Sequence, residues 1–234
     1  MTETDRLRVL LFDLDGTIAD THGLILKCYD YAVQSHIGRP GMREVWEARI
    51  GLPLDDILNA TYMHYSMPMP TSEELAAVKQ TYRDHMRESD GDIQAFAGMP
   101  ETLAELKSRG YRLGVVTTKH RAMAVRHLEK LGLLNVFEAG AVVCGDMCAA
   151  CKPAPEPFWL ALVLLNVAPG QAAMIGDSRQ DILGAKAAGV LSVAACWGTD
   201  NRAALLAASP DRVAETPSDL LEFQIVVGRD RSPV

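Results

Sequence analysis

The sequence predicts an α/β fold, in which a parallel β-sheet is covered by helices on both faces and an all-helical segment is inserted after the first strand. Short apolar runs alternate with helical patterns from about residue 94 onward, which is typical of a parallel sheet. The apolar run Val9–Phe12 indicates a first, buried strand, and the stretch after it has helical periodicity without a candidate strand. We therefore expect a core at residues 1–19 and 94–228, a helical cap at 20–93 and a disordered tail at 229–234.

The remaining elements follow from apolar patterns and from residues that start or stop helices. Further strands are predicted at residues 112–116, 141–143, 172–175 and 191–194. Thr21 is the expected N-cap of the first helix, and Thr71 with Glu74 has the form of a capping box. The predicted helices span residues 21–36, 42–50, 54–65, 71–89, 100–109, 120–131, 157–165 and 178–188, with a last one opening at Thr216.

Composition narrows the class of protein. With 48% hydrophobic and 23% charged residues, the chain has the make-up of a globular protein. Its net charge of −7 argues against nucleic acid and against an anionic membrane surface as partners. No apolar run approaches the roughly 20 residues that span a bilayer, and Asp13 and Asp15 interrupt the only N-terminal one. We expect a cytoplasmic protein with reduced thiols.

Five cysteines are present, and three of them are close together in the sequence. Cys148 and Cys151 have the spacing of a zinc knuckle, with Cys144 just before them. A structural zinc site needs four ligands, and no second pair is nearby. The pattern favours small apolar side chains beside a loop over a metal site.

Two carboxylates, Asp13 and Asp15, stand where the first predicted strand ends. In a regular extension they would leave on the same face, and Gly16 allows a sharp turn directly afterwards. Burying an unpaired carboxylate costs several kcal/mol, a cost that a bound Mg²⁺ would offset. The alternative is a solvated Asp-Gly turn.

Residue types suited to phosphoryl chemistry follow the later strands. Parallel sheets bind ligands beyond the carboxyl ends of their strands, so these residues are expected to meet at one edge. They supply acids, a hydroxyl donor and a cation, which phosphoryl transfer requires for positioning and counter-charge. The set consists of Thr117, Thr118, Lys119, Lys152, Gly176, Asp177, Ser178 and Asp181.

Four motifs in this order resemble the haloacid dehalogenase-like hydrolase superfamily, and most of all its phosphoglycolate-phosphatase-like branch with a helical cap. The resemblance covers about residues 9–197 and implies a Rossmann-like three-layer core. The segment at residues 50–53, Ile-Gly-Leu-Pro, also resembles that branch. The motifs are Phe-Asp-Leu-Asp-Gly-Thr at 12–17, Val-Val-Thr-Thr-Lys at 115–119, Lys-Pro-Ala-Pro-Glu-Pro at 152–157 and Ile-Gly-Asp-Ser-Arg-Gln-Asp at 175–181.

The resemblance implies a catalytic role for four residues. Asp13 would be the nucleophile that forms an aspartyl-phosphate. Asp15 would protonate the leaving group and then activate water. Thr117 would hydrogen-bond a phosphoryl oxygen, and Lys152 would balance its charge.

The same resemblance implies a metal site and a substrate site. Mg²⁺ would be held by the Asp13 carboxylate, the Asp15 carbonyl and Asp177. Asp181 and Ser178 would support this site, and the cap would close over it and exclude water. The residues expected to contact substrate are Gly16, Thr17, Thr118, Lys119 and Arg49.

The substrate is left open between several possibilities. Asp15 favours phosphate esters over halogenated substrates, because relatives that remove halide lack an acid there. A small phosphomonoester similar to phosphoglycolate is the first expectation, and the pair Thr118-Lys119 keeps pyrophosphate as an alternative. A sugar-phosphate mutase and a non-catalytic binding protein are less favoured. The expected partner is a small phosphorylated metabolite, and the chain is expected to be a monomer or a homodimer.

Overall fold

The computed structural model describes residues 7–199 and 201–222, and it contains two β-sheets. The larger has six strands and the smaller has two. In chain order the strands are β1 (Val9–Phe12), β2 (Ala19–Asp20), β3 (Gln94–Ala95), β4 (Arg112–Val116), β5 (Val142–Val143), β6 (Ala172–Gly176), β7 (Leu191–Ala195) and β8 (Arg212–Ala214).

The large sheet is parallel, with the strand order β5-β4-β1-β6-β7-β8. Its register aligns Phe12 of β1 with Val115 of β4 and with Ile175 of β6. The residues that follow these three strands therefore emerge at the same edge of the sheet. The predicted parallel sheet is confirmed, and this edge is where the chemistry-bearing motifs meet.

Nine α-helices lie among the described residues, and the predicted positions of the first eight agree within a few residues. The second is shorter than expected, because the chain turns after Glu47. The predicted last helix is a single 3₁₀ segment, Pro217–Leu221. The α-helices are α1 (His22–Ile37), α2 (Arg43–Glu47), α3 (Leu54–His64), α4 (Ser72–Ser89), α5 (Met99–Ser108), α6 (Arg121–Lys130), α7 (Glu156–Leu164), α8 (Arg179–Ala187) and α9 (Arg202–Ala207).

Helices cover both faces of the large sheet, which gives three layers. Alternate residues of β1 enter opposite cores: Leu10 and Phe12 pack with α5 and α6, whereas Val9 and Leu11 pack with α7 and α8. All four side chains are fully buried, or within 2% of it. A strand buried on both faces is a continuous apolar run, which explains why β1 was predictable.

The helices α1 to α4 form the cap and have an apolar core of their own, which includes Tyr29, Trp46 and Leu58. The capping box of Thr71 and Glu74 begins α4, as predicted. The antiparallel pair β2–β3 joins the points where the chain enters and leaves the cap. The residue numbers at which we divided core from cap stay a prediction.

Four elements were not expected from the sequence: the paired strands β2 and β3, the edge strand β8 and the helix α9. Each of the three strands has only two or three residues, and in β8 only Ala214 is buried, so none of them carries an apolar pattern. The tail expected at residues 229–234 lies outside the described residues. Among the described residues, no helix has the length and apolar character needed to cross a bilayer.

Candidate active site

Lys152 lies at the centre of the residues gathered at the sheet edge. Its ammonium nitrogen is 2.9 Å from Asp13 Oδ1 and 2.6 Å from Asp181 Oδ1, and it donates a hydrogen bond to the Val116 carbonyl at 3.1 Å. The side chain is only 1% exposed. Burial acts to lower the pKa of Lys152, but Asp13 and Asp181 raise it well above its usual range. Lys152 is therefore a permanently charged cation beside Asp13.

Asp181 is fixed by the start of helix α8. Its Oδ2 accepts hydrogen bonds from the Ser178 amide at 3.1 Å and from the Ser178 hydroxyl at 2.5 Å. The Asp181 amide donates in turn to the Ser178 hydroxyl oxygen at 3.3 Å, and this bond and the one from the Ser178 amide form a capping box. A Cβ at Gly176 would overlap the Asp181 carboxylate, so this close approach requires glycine. Both Asp181 oxygens are thus occupied by protein groups, and the residue orients Lys152.

Asp177 has one side-chain oxygen that no described residue satisfies. Thr17 donates to Asp177 Oδ1 at 3.1 Å, whereas Oδ2 is buried and has no hydrogen-bond partner among the described residues. The ring nitrogen Nε2 of His22 is 3.5 Å from Oδ2. Gly16 adopts φ +76°, and a Cβ there would overlap Asp177 Oδ2. The space beside this oxygen is therefore kept open by glycine.

The buried carboxylates exceed the cations that face them. Burial raises the pKa of Asp177 to about 8, with a further contribution from the charge of Asp181. Burial also raises the pKa of Asp13, against the lowering effect of Lys152. Carboxylate oxygens of Asp13, Asp177 and Asp181 lie within 4.8 Å of one another. A hard divalent cation fits this excess of acid, and Asp13 and Asp177 are the two that have oxygens left to bind it.

Asp15 is in a different electrostatic environment from Asp13. Lys119 Nζ lies 2.6 Å from its Oδ1, and the Thr21 hydroxyl donates to the same oxygen at 2.5 Å. Burial acts to raise the pKa of Asp15, but the charge of Lys119 and these hydrogen bonds hold it below its usual range. The pKa values of the two acids of the first motif are therefore shifted in opposite directions, that of Asp13 upward and that of Asp15 downward.

Thr21 is the N-cap residue of helix α1, as predicted, but its side chain does not cap the helix. Its hydroxyl makes no capping hydrogen bond and is directed to Asp15 instead. Its role at the site was missed, because a threonine before a helix is ordinarily a cap. The only sequence signal was its position six residues after Asp15.

Thr117, Thr118 and Lys119 form the turn that follows β4. The Thr117 hydroxyl is buried and accepts a hydrogen bond from the Lys119 amide at 3.1 Å, which leaves its proton free to donate. A Cβ at Gly145 would overlap the Thr118 carbonyl, so the loop after β5 packs closely on this turn. Thr118 and Lys119 line the cavity described next.

A cavity of about 520 Å³ lies between the core and the cap. Asp13 and Asp15 line it from the core, and His22 lines it from α1. Arg49 is not among its lining residues, because the guanidinium turns back and donates to the Val45 carbonyl at 3.2 Å. Lys79 and Arg83 of α4 do line it, and neither was expected from the sequence.

Two of the three clustered cysteines contact backbone carbonyls. Cys144 Sγ is 3.7 Å from the Val142 carbonyl oxygen, and Cys151 Sγ is 3.6 Å from that of Gly145. Within residues 7–199 and 201–222, Asp13, Asp177 and Asp181 are the one group of three or more His, Cys, Asp or Glu side chains close enough together to bind one metal ion.

The comparison with protein families shows the family to which the chain belongs. The family model of haloacid dehalogenase-like hydrolases matches residues 10–195, most of the chain. This chain belongs to the haloacid dehalogenase-like hydrolase family. The expected superfamily, the α/β architecture and the assignment as a hydrolase are confirmed.

Relatives of this hydrolase carry more than one name. The pyrophosphatase PpaX of Bacillus cereus (strain G9842) is 33% identical over 216 residues, which is 92% of this chain and 95% of the relative. A haloacid dehalogenase-like hydrolase from Streptococcus pneumoniae is 27% identical, with a TM-score of 0.78 over 93% of this chain and 98% of that one. A predicted phosphoglycolate phosphatase from Haemophilus somnus shares the fold, with a TM-score of 0.81 at 24% identity over 92% and 97% of the two chains.

Proposed function

We propose that this hydrolase is a Mg²⁺-dependent phosphatase that acts on a phosphomonoester through an aspartyl-phosphate at Asp13. The observation that carries the proposal is the placement of the Asp13 carboxylate, which lies 2.9 Å from the buried Lys152 and also borders the cavity. A nucleophile needs both a counter-charge and access to substrate, and Asp13 has both.

Asp13 and Asp15 divide the chemistry between them. The Asp13 carboxylate attacks phosphorus, and the bond from phosphorus to the leaving oxygen breaks as Asp15 gives that oxygen a proton. Asp15 then takes a proton from water, which attacks the aspartyl-phosphate and releases inorganic phosphate. Thr117 donates a hydrogen bond to a phosphoryl oxygen, and Lys152 offsets the charge that develops there.

The residues that would hold Mg²⁺ are Asp13, Asp177 and the main-chain carbonyl of Asp15. The unsatisfied Asp177 Oδ2 supports this assignment, since a buried carboxylate oxygen without a partner is otherwise unfavourable. When bound, the ion supplies positive charge to the transferring phosphoryl group. Asp181 and Ser178 support the site by fixing Lys152.

Pyrophosphate is the second candidate substrate. The relative at 33% identity is named a pyrophosphatase, and Thr118 with Lys119 stands beside the site. In either case the partner is a small phosphorylated compound, and the same nucleophile operates.

The test compares Asp13→Asn with Asp20→Asn, which removes an exposed acid at the end of β2. With Mg²⁺ and 4-nitrophenyl phosphate, we expect Asp13→Asn to lose roughly a thousandfold or more in kcat, and Asp20→Asn to match the wild type. Rapid quenching with a ³²P-labelled ester should leave label on wild-type protein and none on Asp13→Asn. Retention of activity by Asp13→Asn would contradict the proposal.

A further inference from the structure

The cavity above Asp13 is large for pyrophosphate or for a two-carbon phosphate ester. Pockets of roughly 300–1,000 Å³ hold ligands of drug size, and this cavity has about 520 Å³. Either of those small anions would fill a minor part of it. Substantial room therefore remains beyond the phosphoryl group.

The cavity has this volume while the cap is in contact with the core. Gly51, in the loop between α2 and α3, approaches Ser178 so closely that a Cβ would overlap the Ser178 hydroxyl. On another side, Cys28 and Met86 of the cap pack with Met123 of the core in one apolar cluster. The room in the cavity is thus present while cap and core are in contact at two places.

The walls of this space are largely apolar. The cap lines it with Trp46 and Tyr82 and with aliphatic side chains such as Ile50 and Leu54, and the core adds Met123. The Trp46 ring lies edge-on against the His22 ring, with centroids 5.3 Å apart. The transfer of an apolar group from water to such walls is favourable, whereas the transfer of an anion is not.

The charges at the cavity do not favour a second anionic group. Five aspartates line the described part of it, against three lysines and arginines. Lys79 is paired with Asp55 at 2.8 Å, and Lys119 with Asp15 at 2.6 Å, which leaves Arg83 without a carboxylate partner among the described residues. Among the described lysines and arginines that line the cavity, a carboxylate or phosphate in the leaving group would therefore meet only Arg83 without a carboxylate partner.

We propose that the substrate is a phosphomonoester whose leaving group has an uncharged, largely apolar body of alkyl or aryl chemistry, enclosed between cap and core. The proposal rests on the aspartyl-phosphate function of Asp13. The bond from phosphorus to the ester oxygen breaks, Asp15 protonates that oxygen, and an apolar alcohol leaves. Water then releases phosphate.

The test measures kcat/KM for 2-phenylethyl phosphate, ethyl phosphate, phosphoglycolate and pyrophosphate. The first two esters have leaving groups of similar basicity, so their ratio reports contacts with the apolar body. We expect 2-phenylethyl phosphate to exceed ethyl phosphate by roughly 10- to 200-fold, the range for an added apolar group in a fitted pocket. It should also exceed phosphoglycolate and pyrophosphate.

A matched pair of variants locates the effect. Ile50→Glu places a charge on the cavity wall, and Met63→Glu places one on the outer face of the cap, where Met63 is 68% exposed. We expect Ile50→Glu to reduce the ratio of the two esters at least tenfold, and Met63→Glu to keep it.

The outcomes separate this proposal from the function it rests on. If esters are hydrolysed in an Asp13-dependent way but pyrophosphate or phosphoglycolate has the highest kcat/KM, the apolar leaving group is wrong and the phosphatase stands. A ratio near one for the two esters overturns it as well. If wild type and Asp13→Asn turn over all four compounds equally, both proposals fail.

Discussion

Lys119 Nζ lies 2.6 Å from Asp15 Oδ1, and the two side chains are 8% and 17% exposed. This pair joins residues 104 positions apart. It sets the protonation of the acid that the proposed mechanism uses twice, first as an acid and then as a base.

Replacing Lys119 should move the acidic limb of the pH–rate profile. Burial favours the neutral Asp15, and Lys119 is the main influence that lowers the pKa of Asp15. Lys119→Met should therefore raise that pKa, so that the base needed for the second step is lost at a higher pH, while the acid needed for the first step persists to a higher pH. Thr21→Val, which removes one hydrogen bond and keeps the cation, should shift the limb in the same direction by less. Superimposable kcat profiles for wild type and Lys119→Met would contradict this view.

Mg²⁺ should stabilise the fold in a way that depends on Asp177. Burial raises the pKa of Asp177 in the folded state to about 8. Without metal, protonated Asp177 therefore stabilises the fold at pH values below its unfolded pKa. This stabilisation is lost as the pH rises through about 8. Mg²⁺ displaces the proton and should bind more tightly above pH 8 than below it. At a hundred times Kd it should add about 2.7 kcal/mol.

Thermal unfolding with Mg²⁺ or EDTA measures this effect. Asp177→Asn should weaken Mg²⁺ binding by roughly tenfold or more, and Asp20→Asn should not. Equal Mg²⁺-induced shifts in Tm for wild type and Asp177→Asn would exclude Asp177 as a ligand.

Asp181→Asn should destabilise the fold more than Ser178→Ala. The first change leaves the buried Lys152 with one fewer carboxylate, and breaking such a pair costs roughly 3–5 kcal/mol. The second removes a helix N-cap hydrogen bond, which is worth about 1 kcal/mol, together with the hydrogen bond that the Ser178 hydroxyl donates to Asp181. Urea unfolding of both variants gives the two free energies, and an Asp181→Asn cost at or below that of Ser178→Ala would show that the ion pair contributes little.

Gly51→Ala should disturb the contact between cap and core. Gly51 has φ +84°, and a Cβ there meets Ser178, whereas Gly38 has φ +68° with open space around it. Both alanine variants carry a left-handed backbone strain of about 1–2 kcal/mol. Only Gly51→Ala adds the collision, so we expect roughly a tenfold loss in kcat/KM for Gly51→Ala alone. The same loss in Gly38→Ala would assign the effect to strain.

His127 should make the fold less stable in mild acid. Its ring is fully buried, and neither nitrogen has a hydrogen-bond partner among the described residues. Its Nε2 lies 3.7 Å from Asp90 Oδ2, and the charges of Lys119, Asp15 and Arg126 also act on it. Burial, helped by Lys119, lowers its pKa to about 4. The unfolded chain therefore binds a proton that the folded chain does not between about pH 6.5 and 4, and stability falls as pH falls there.

The size of this effect can be checked by denaturant unfolding across that range. It amounts to about 3 kcal/mol in total, at roughly 1.4 kcal/mol per pH unit. His127→Met should remove this contribution, so that the slope of unfolding free energy against pH differs from that of the wild type by roughly 1.4 kcal/mol per pH unit. Replacement of the exposed His36 by Met should leave the wild-type slope. The Asp90 carboxylate, whose pKa is lowered against its burial by Arg126 and Lys130, contributes separately: its stabilisation is present above its unfolded pKa and is lost at lower pH.

The principal site residues were predictable because each directly follows a buried strand or stands in a motif. Asp13, Thr117 and Asp177 come after β1, β4 and β6, and the parallel register brings them to one edge. Lys152 was predicted from its motif, and the structure places it beside Asp13. The roles of these residues stay predictions until the variants are measured.

Arg49 shows where sequence reasoning was weakest. A cation before the loop of the cap suggested an anion contact, but the guanidinium is bound to the Val45 carbonyl and does not line the cavity. Conversely, Thr21 has the sequence context of a helix cap and contacts Asp15. Side-chain direction at a loop or helix end depends on neighbours that are distant in sequence, and local patterns do not contain that information.

The sequence by itself determined the layered sheet, the inserted helices and the acids at the sheet edge, because buried strands and helix ends leave periodic and local signals. Only the tertiary structure decided which cation faces which acid, which oxygen of Asp177 lacks a partner, and how much apolar room the cap encloses. Those properties arise from the packing of segments far apart in the chain. They depend on ångström-scale distances between side chains, which set charge interactions and volumes.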